Sequence, residues 1–228
     1  MSWEDSCLGH LGRLASSSTA TQLLSSGMCH IQTIPRQFER LRTVFLDRDG
    51  VINEKMPEGR YVCSESDLRV LPGAPEAIAL LNRAGVRVLV VSNQRGIALG
   101  LYTPEDVHAI HSSLQRQLQA HGAHIDAFYF CPHDKQTCRC RKPLPGLCEQ
   151  AIAQFPDINV ETSVMIGDSL SDIEFGNRLK MGTIWIAGGP NPRTEGAAIA
   201  EQSATWSCSS LSEAVDYLLR CSVPEDHT

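Results

Sequence analysis

The chain has 228 residues, enough for one well-buried domain and short for two. Hydrophobic residues make up 42% of it and charged residues 20%, ordinary for a soluble globular protein. A formal charge of −6, with no offsetting block of Lys and Arg, argues against a nucleic-acid or anionic-membrane partner, and no long apolar run offers a transmembrane helix.

Residues 1–40 read as a poorly ordered extension, with Met28 a candidate for the true start. Gly12 to Met28 is rich in Ser and Thr, Glu4 and Asp5 stand where a secretory signal would be basic, and Ser16-Ser17-Ser18-Thr19 breaks the apolar positions. From Arg42 to residue 222 strands and helices alternate. Thr43 to Leu46 is a short β-prone run ending at Asp47. A helical pattern opens at Pro72-Gly73-Ala74-Pro75 and closes at Gly85, and Val86 to Val91 is the near-continuous Val/Leu of a strand buried on both faces. Thr103-Pro104-Glu105-Asp106 starts a helix running to His121, with Thr at the N-cap, Pro at the first helical position and acids in the first turn. Further segments are a strand over Ile125–Phe130, a helix over Pro145–Phe155, a strand over Ser163–Ile166, a helix over Ser171–Lys180, a strand over Thr183–Ile186 and a helix over Leu211–Arg220. Residues 223–228 read as a tail. This alternation predicts an α/β fold, a Rossmann-like parallel sheet with helices on both faces, whose ligand site lies beyond the carboxyl ends of the strands.

Three polar clusters follow those strands. Asp47 and Asp49 stand two residues apart after the first; one can attack phosphorus and the other can move the protons, although a strand-end turn accounts for the pair equally well. Ser92-Asn93 follows the second strong strand and can hold a phosphoryl oxygen. Gly167-Asp168-Ser169 follows a third, and Asp168 completes a carboxylate set suited to Mg²⁺. Asp172, one turn into the next helix, reads as a supporting residue and not a direct ligand. Arg141-Lys142 supplies cations for an anionic substrate. His108 and His111, on a predicted helix, read as packing or solvent-facing side chains.

Nine cysteines is a high and odd count. Cys131, His133, Cys138 and Cys140 have the spacing and donor set of a closed, tetrahedral structural zinc site, a staple on the loop that ends at Arg141-Lys142. The other cysteines read as reduced thiols, which points to a cytoplasmic protein.

In this order, Phe45-Leu46-Asp47-Arg48-Asp49-Gly50-Val51-Ile52-Asn53, Val91-Ser92-Asn93-Gln94-Arg95-Gly96-Ile97, the Cys131–Cys140 segment with Arg141-Lys142-Pro143, and Ile166-Gly167-Asp168-Ser169 resemble the haloacid dehalogenase (HAD) superfamily. More narrowly they resemble its branch of heptose bisphosphate and histidinol-phosphate phosphatases. The resemblance implies a core without a large cap domain and a magnesium-dependent phosphatase. It makes Asp47 the nucleophile and Asp49 the general acid/base, with Mg²⁺ on Asp47, the backbone carbonyl of Asp49, and Asp168. Ser92, Asn93 and Lys142 would meet the phosphoryl group, Arg141 the rest of a small phosphorylated metabolite, and Cys131, His133, Cys138 and Cys140 the zinc. Heptose 1,7-bisphosphate is the first choice of substrate and histidinol phosphate the alternative, with a monomer acting in carbohydrate metabolism. A catalytically silent phospho-ligand binder on the same fold, or a zinc-dependent regulatory module, are readings from other classes. Two departures concern the pocket. The segment Glu54 to Arg60 is longer than the branch leads one to expect, and Ser169 stands where relatives can carry Lys.

Overall fold

A computed structural model describes residues 35–192 and 194–222. The predicted tail over 223–228 and most of the predicted N-terminal extension lie outside the described residues. The extension's inner end needs correcting. Arg36–Glu39 forms a short helix, α1, whose Phe38 is fully buried and meets Tyr217 edge to face, so the fold takes in residues ahead of Arg42.

Six parallel strands form one sheet in the order β3-β2-β1-β4-β5-β6. They are β1 (Thr43–Leu46), β2 (Arg87–Asn93), β3 (Ala127–Cys131), β4 (Ser163–Gly167), β5 (Gly182–Ile186) and β6 (Trp206–Cys208). The larger helices are α2 (Ala74–Arg83), α3 (Pro104–Gln119), α4 (Gly146–Gln154), α5 (Leu170–Arg178), α6 (Ala197–Ser203) and α7 (Leu211–Cys221). The two-residue period of a strand distributes the central side chains. Val44, Leu46, Val88, Val90, Val164 and Ile166 join one core layer with residues of α2, α3 and α7. Phe45, Leu89, Val91 and Met165 face the other side, against Leu147 and Cys148 of α4 and Phe175 of α5. Helices thus cover both faces, which is why β1, β2 and β4 carry apolar residues at consecutive positions.

Local chemistry sets the ends of these elements. Thr103 is the N-cap expected from the sequence, and the structure makes it reciprocal: Asp106 Oδ2 accepts from the backbone N–H and hydroxyl of Thr103, and Thr103 Oγ1 accepts from Asp106 N–H. Gly122 closes that helix at φ +69°. β6, α1 and α6 have no clear sequence signal: each is too short to show a period. Among the described residues no helix is long and apolar enough to cross a membrane.

The order 3-2-1-4-5-6 places the topological switch between β1 and β4, where chain leaving each strand turns to opposite faces and opens a crevice. Among the described residues no separate domain roofs it. Residues 47–73, between β1 and α2, hold only a 3₁₀ turn at Glu65–Asp67 and two isolated bridges. Residues 132–145, between β3 and α4, hold the cysteine loop.

Candidate active site

β1 and β4 are hydrogen-bonded in register, Leu46 opposite Ile166, and Asp47 N–H donates to Ile166 O at 3.0 Å. That register delivers Asp47 and Asp168 to the same strand edge. Gly50 lets them close. It sits at φ +96°, and a methyl there would lie 2.4 Å from Asp168 Oδ2. Asp47, Asp168 and Asp172 are all buried, each with a carboxylate oxygen within 4.8 Å of the others'.

So dense an anionic cluster needs compensation. Lys142 supplies it from the loop after β3: its ammonium lies 2.9 Å from Asp47 Oδ1, 2.7 Å from Asp172 Oδ1 and 2.5 Å from Val91 O. Burial would push the ammonium toward its neutral form, but the Asp172 and Asp47 carboxylates more than offset it and hold Lys142 charged. The sequence put Lys142 against phosphoryl oxygens. In this structure its ammonium donates to the nucleophile candidate and a strand carbonyl and pairs ionically with Asp172. Asp172 is therefore closer to the chemistry than its position in α5 suggested. Its other oxygen accepts from Ser169 N–H and Ser169 Oγ, closing the helix N-terminus.

Asp168 is strongly perturbed by its surroundings. Burial first, then the charges of Asp47 and Asp172, raise its pKa to about 6, with the Lys55 ammonium pulling the other way. Lys55 pairs with Asp168 Oδ2. Sequence reasoning missed this residue because its loop, Glu54 to Arg60, has no element or motif to place it. Asp168 Oδ1 is buried with no hydrogen-bond partner among the described residues. Clustered carboxylate oxygens, one of them orphaned, suit a hard divalent cation such as Mg²⁺.

Asp49 points into a separate cradle. Its carboxylate accepts from Arg48 Nη2 at 2.9 Å, Asn53 Nδ2 at 2.9 Å and Gln94 Nε2 at 3.1 Å. Burial raises its proton affinity, but the Arg48 guanidinium and these hydrogen bonds outweigh it and keep the carboxyl below its usual range. Arg48 itself is wholly buried, between Asp49 and His111 Nε2 at 3.5 Å. His111 is a packing residue as expected, stacked on Phe128 at 4.5 Å.

Ser92, next to last in β2, shares the cleft floor with Asp47, its hydroxyl accepting from Gln94 Nε2 at 2.7 Å. Asn93 uses its side chain as a latch. Its Oδ1 accepts from Lys142 N–H at 3.0 Å and its Nδ2 donates to Lys142 O at 3.2 Å, fixing the backbone that carries the ammonium. The cysteine loop grips the same backbone from its other side, since Cys138 Sγ accepts from Arg141 N–H at 3.4 Å. Within that loop Cys131 and Cys140 each lie 3.5 Å from Cys138, sulfur to sulfur, and His133 Nδ1 lies 3.3 Å from Cys140 Sγ. A tetrahedral zinc with Zn–S of about 2.3 Å separates its sulfurs by about 3.8 Å, so three thiolates and one imidazole here fit Zn²⁺.

Above these groups opens a cleft of about 570 Å³, lined at its floor by Asp47, Asp49, Ser92 and Lys142. Lys55, Arg60, Arg95, Lys135 and Arg141 line its walls, against Glu58 and Glu195. Arg141 Nη1 is buried there with no hydrogen-bond partner among the described residues. A nucleophile flanked by a cation, a carboxylate cluster and a positive wall can displace at an anionic phosphorus centre.

Comparison with known proteins bears on this reading. A family model described as HAD-hydrolase-like matches residues 139–214. The D-glycero-alpha-D-manno-heptose-1,7-bisphosphate 7-phosphatase of Mycobacterium tuberculosis is 43% identical over 137 residues, covering 60% of this chain and 72% of that protein. The D-glycero-beta-D-manno-heptose-1,7-bisphosphate 7-phosphatase of Bordetella bronchiseptica is 33% identical over 181 residues, covering 79% and 99%. A crystal structure of D,D-heptose 1,7-bisphosphate phosphatase from B. bronchiseptica, complexed with magnesium and phosphate, superimposes with a TM-score of 0.71 at 30% identity, covering 79% of this chain and 99% of that one.

Proposed function

The chain belongs to the HAD-like phosphatases, enzymes that hydrolyse phosphoric monoesters, and on that premise we propose that its substrate is a small sugar bisphosphate, D-glycero-D-manno-heptose 1,7-bisphosphate cleaved at position 7. The observation that carries the substrate class is Arg141. Arg141 lines a cleft whose wall is mainly cationic, and its buried Nη1 has no hydrogen-bond partner among the described residues. A second phosphate satisfies that guanidinium in fork geometry. The cationic amine of histidinol phosphate would meet like charge.

Asp47 attacks phosphorus, and the bond from phosphorus to the leaving sugar oxygen breaks as Asp49 gives that oxygen its proton. Asp49 then takes a proton from water, which attacks the aspartyl-phosphate, and the bond to Asp47 breaks to release inorganic phosphate and the free carboxylate. Asp49 rests ionised in its cradle, the form needed for the second half. For the first half, an arriving phosphate dianion raises its proton affinity. Lys142 orients Asp47 through its ion pair; Ser92 binds the phosphoryl group. Asp47, Asp168 and the backbone carbonyl of Asp49 would hold Mg²⁺, which when bound supplies charge neutralisation between the carboxylate and the incoming phosphate. Cys131, His133, Cys138 and Cys140 would hold Zn²⁺, which when bound would fix the loop that presents Arg141 and Lys142.

The test is a panel of phosphorylated metabolites offered with Mg²⁺ to the purified protein and its Asp47→Asn variant. Heptose bisphosphate should give the highest kcat/KM, and Asp47→Asn should abolish turnover with the fold retained. A preference for histidinol phosphate would overturn the substrate; an active Asp47→Asn would remove the nucleophile.

A further inference from the structure

Gln94 stands two residues beyond Ser92 and is buried, which is unusual for a glutamine unless its amide is fully engaged. Four groups surround that amide. Nε2 faces Ser92 Oγ at 2.7 Å and Asp49 Oδ2 at 3.1 Å, and Oε1 faces the Tyr102 hydroxyl at 2.7 Å and Arg48 Nη2 at 3.4 Å. The two ends of an amide are alike in shape, so its orientation must follow from its neighbours. Here they leave no choice. A guanidinium only donates and a carboxylate only accepts, so Oε1 must face Arg48 and Nε2 must face Asp49. It follows that the Tyr102 hydroxyl donates to Oε1, and that Ser92 Oγ accepts the second proton of Nε2.

That last contact fixes Ser92. Its oxygen takes a proton from Gln94 on the inner side, so its own O–H is directed elsewhere. Among the described residues no acceptor meets it, and Ser92 opens onto the cleft beside Asp47 and Lys142. We propose that Gln94, locked by Tyr102 and Arg48, is a positioning residue that aims the Ser92 hydroxyl proton into the cleft as a donor to the phosphoryl group, an assignment that rests on the phosphatase reading above.

Tyr102 reaches Gln94 because the loop after β2 folds back on itself. Leu101 N–H donates to Gly96 O at 2.9 Å, and the Tyr102 ring lies over Gly96 so closely that a methyl there would stand 2.1 Å from Cε1. The ring is buried, and its hydroxyl donates to Gln94 Oε1 at 2.7 Å. Losing the hydroxyl leaves Oε1 with only the long contact to Arg48. The amide is then free to rotate, and with it the donor that turns Ser92 outward.

Calorimetric binding of inorganic phosphate, in the presence of Mg²⁺, reads this without requiring turnover. Tyr102→Phe keeps the ring on Gly96 and removes only the hydroxyl. It should weaken phosphate binding about three- to tenfold, the worth of one hydrogen bond. Ser92→Ala should weaken it as much or more, and in that background Tyr102→Phe should have almost no further effect, because its influence passes through the hydroxyl already removed. Gln94→Met should show the same dependence on Ser92 and serves if Tyr102→Phe fails to fold. Unchanged binding in both variants, or an equal loss with and without Ser92, would overturn the proposal. A wild-type protein that hydrolyses phosphomonoesters but shows no such coupling refutes this inference alone. A wild type that neither hydrolyses them nor binds phosphate refutes the underlying reading as well.

Discussion

Gly50→Ala isolates the close approach on which the carboxylate cluster depends. The added methyl would lie 2.4 Å from Asp168 Oδ2 and 2.7 Å from its Cγ, where ordinary contact begins at 3.4 Å, so Asp168 must retreat by about 1 Å. A displacement of that size at a reacting centre costs about 10²-fold in rate. Alanine at φ +96° also carries about 1–2 kcal/mol of left-handed backbone cost. In a domain of this size that lowers Tm by about 2–8 °C. Gly85→Ala is the control: its φ of +71° carries the same backbone cost, but a methyl there meets nothing within 4 Å. Steady-state kinetics over a Mg²⁺ titration and calorimetric melting should show both variants melting earlier, with Gly50→Ala alone losing kcat/KM and demanding more Mg²⁺. Gly50→Ala with wild-type kinetics would refute the idea that Asp168 must sit against that backbone. Equal kinetic losses in both variants would show that strain, and not the clash, is responsible.

Lys142→Met leaves Asp47 and Asp172 buried without a counter-charge, and should cost about 3–5 kcal/mol in urea unfolding as well as activity; a variant of wild-type stability would show that the ammonium is not what balances the cluster. His111 gives the stability curve an acid limb. Burial, then the charges of Arg48 and His108, lower its pKa to about 3, against about 6.5 in the unfolded chain. The unfolded state therefore takes up the proton first as pH falls, and about 2 kcal/mol of stability is lost between neutrality and pH 5. His111→Phe should remove that loss in urea midpoints measured across pH, and parallel curves for the two proteins would refute it.

Much of the site was legible because parallel strands buried on both faces read as unbroken apolar runs, and the residue after each run lands at one edge. Asp47, Ser92 and Asp168 followed from that alone. Lys142 was legible as a cation near the site, but its grip on Asp47 bridges 95 residues and that of Lys55 on Asp168 bridges 113. Gln94 lay in view within a quoted motif, yet its role depends on Tyr102 and Arg48 folding onto it from two other segments.

Hydrophobic period and turn chemistry are local properties, so the sequence by itself determined the five longer strands, the main helices and the residue types of the candidate metal sites, while the strand order and its switch point came from the tertiary structure. Which donor faces which acceptor in the buried polar floor was decided only by the tertiary structure. Those contacts depend on the register of β1 against β4 and on loops whose paths no short-range pattern encodes, and burial makes each pairing costly to leave unmade.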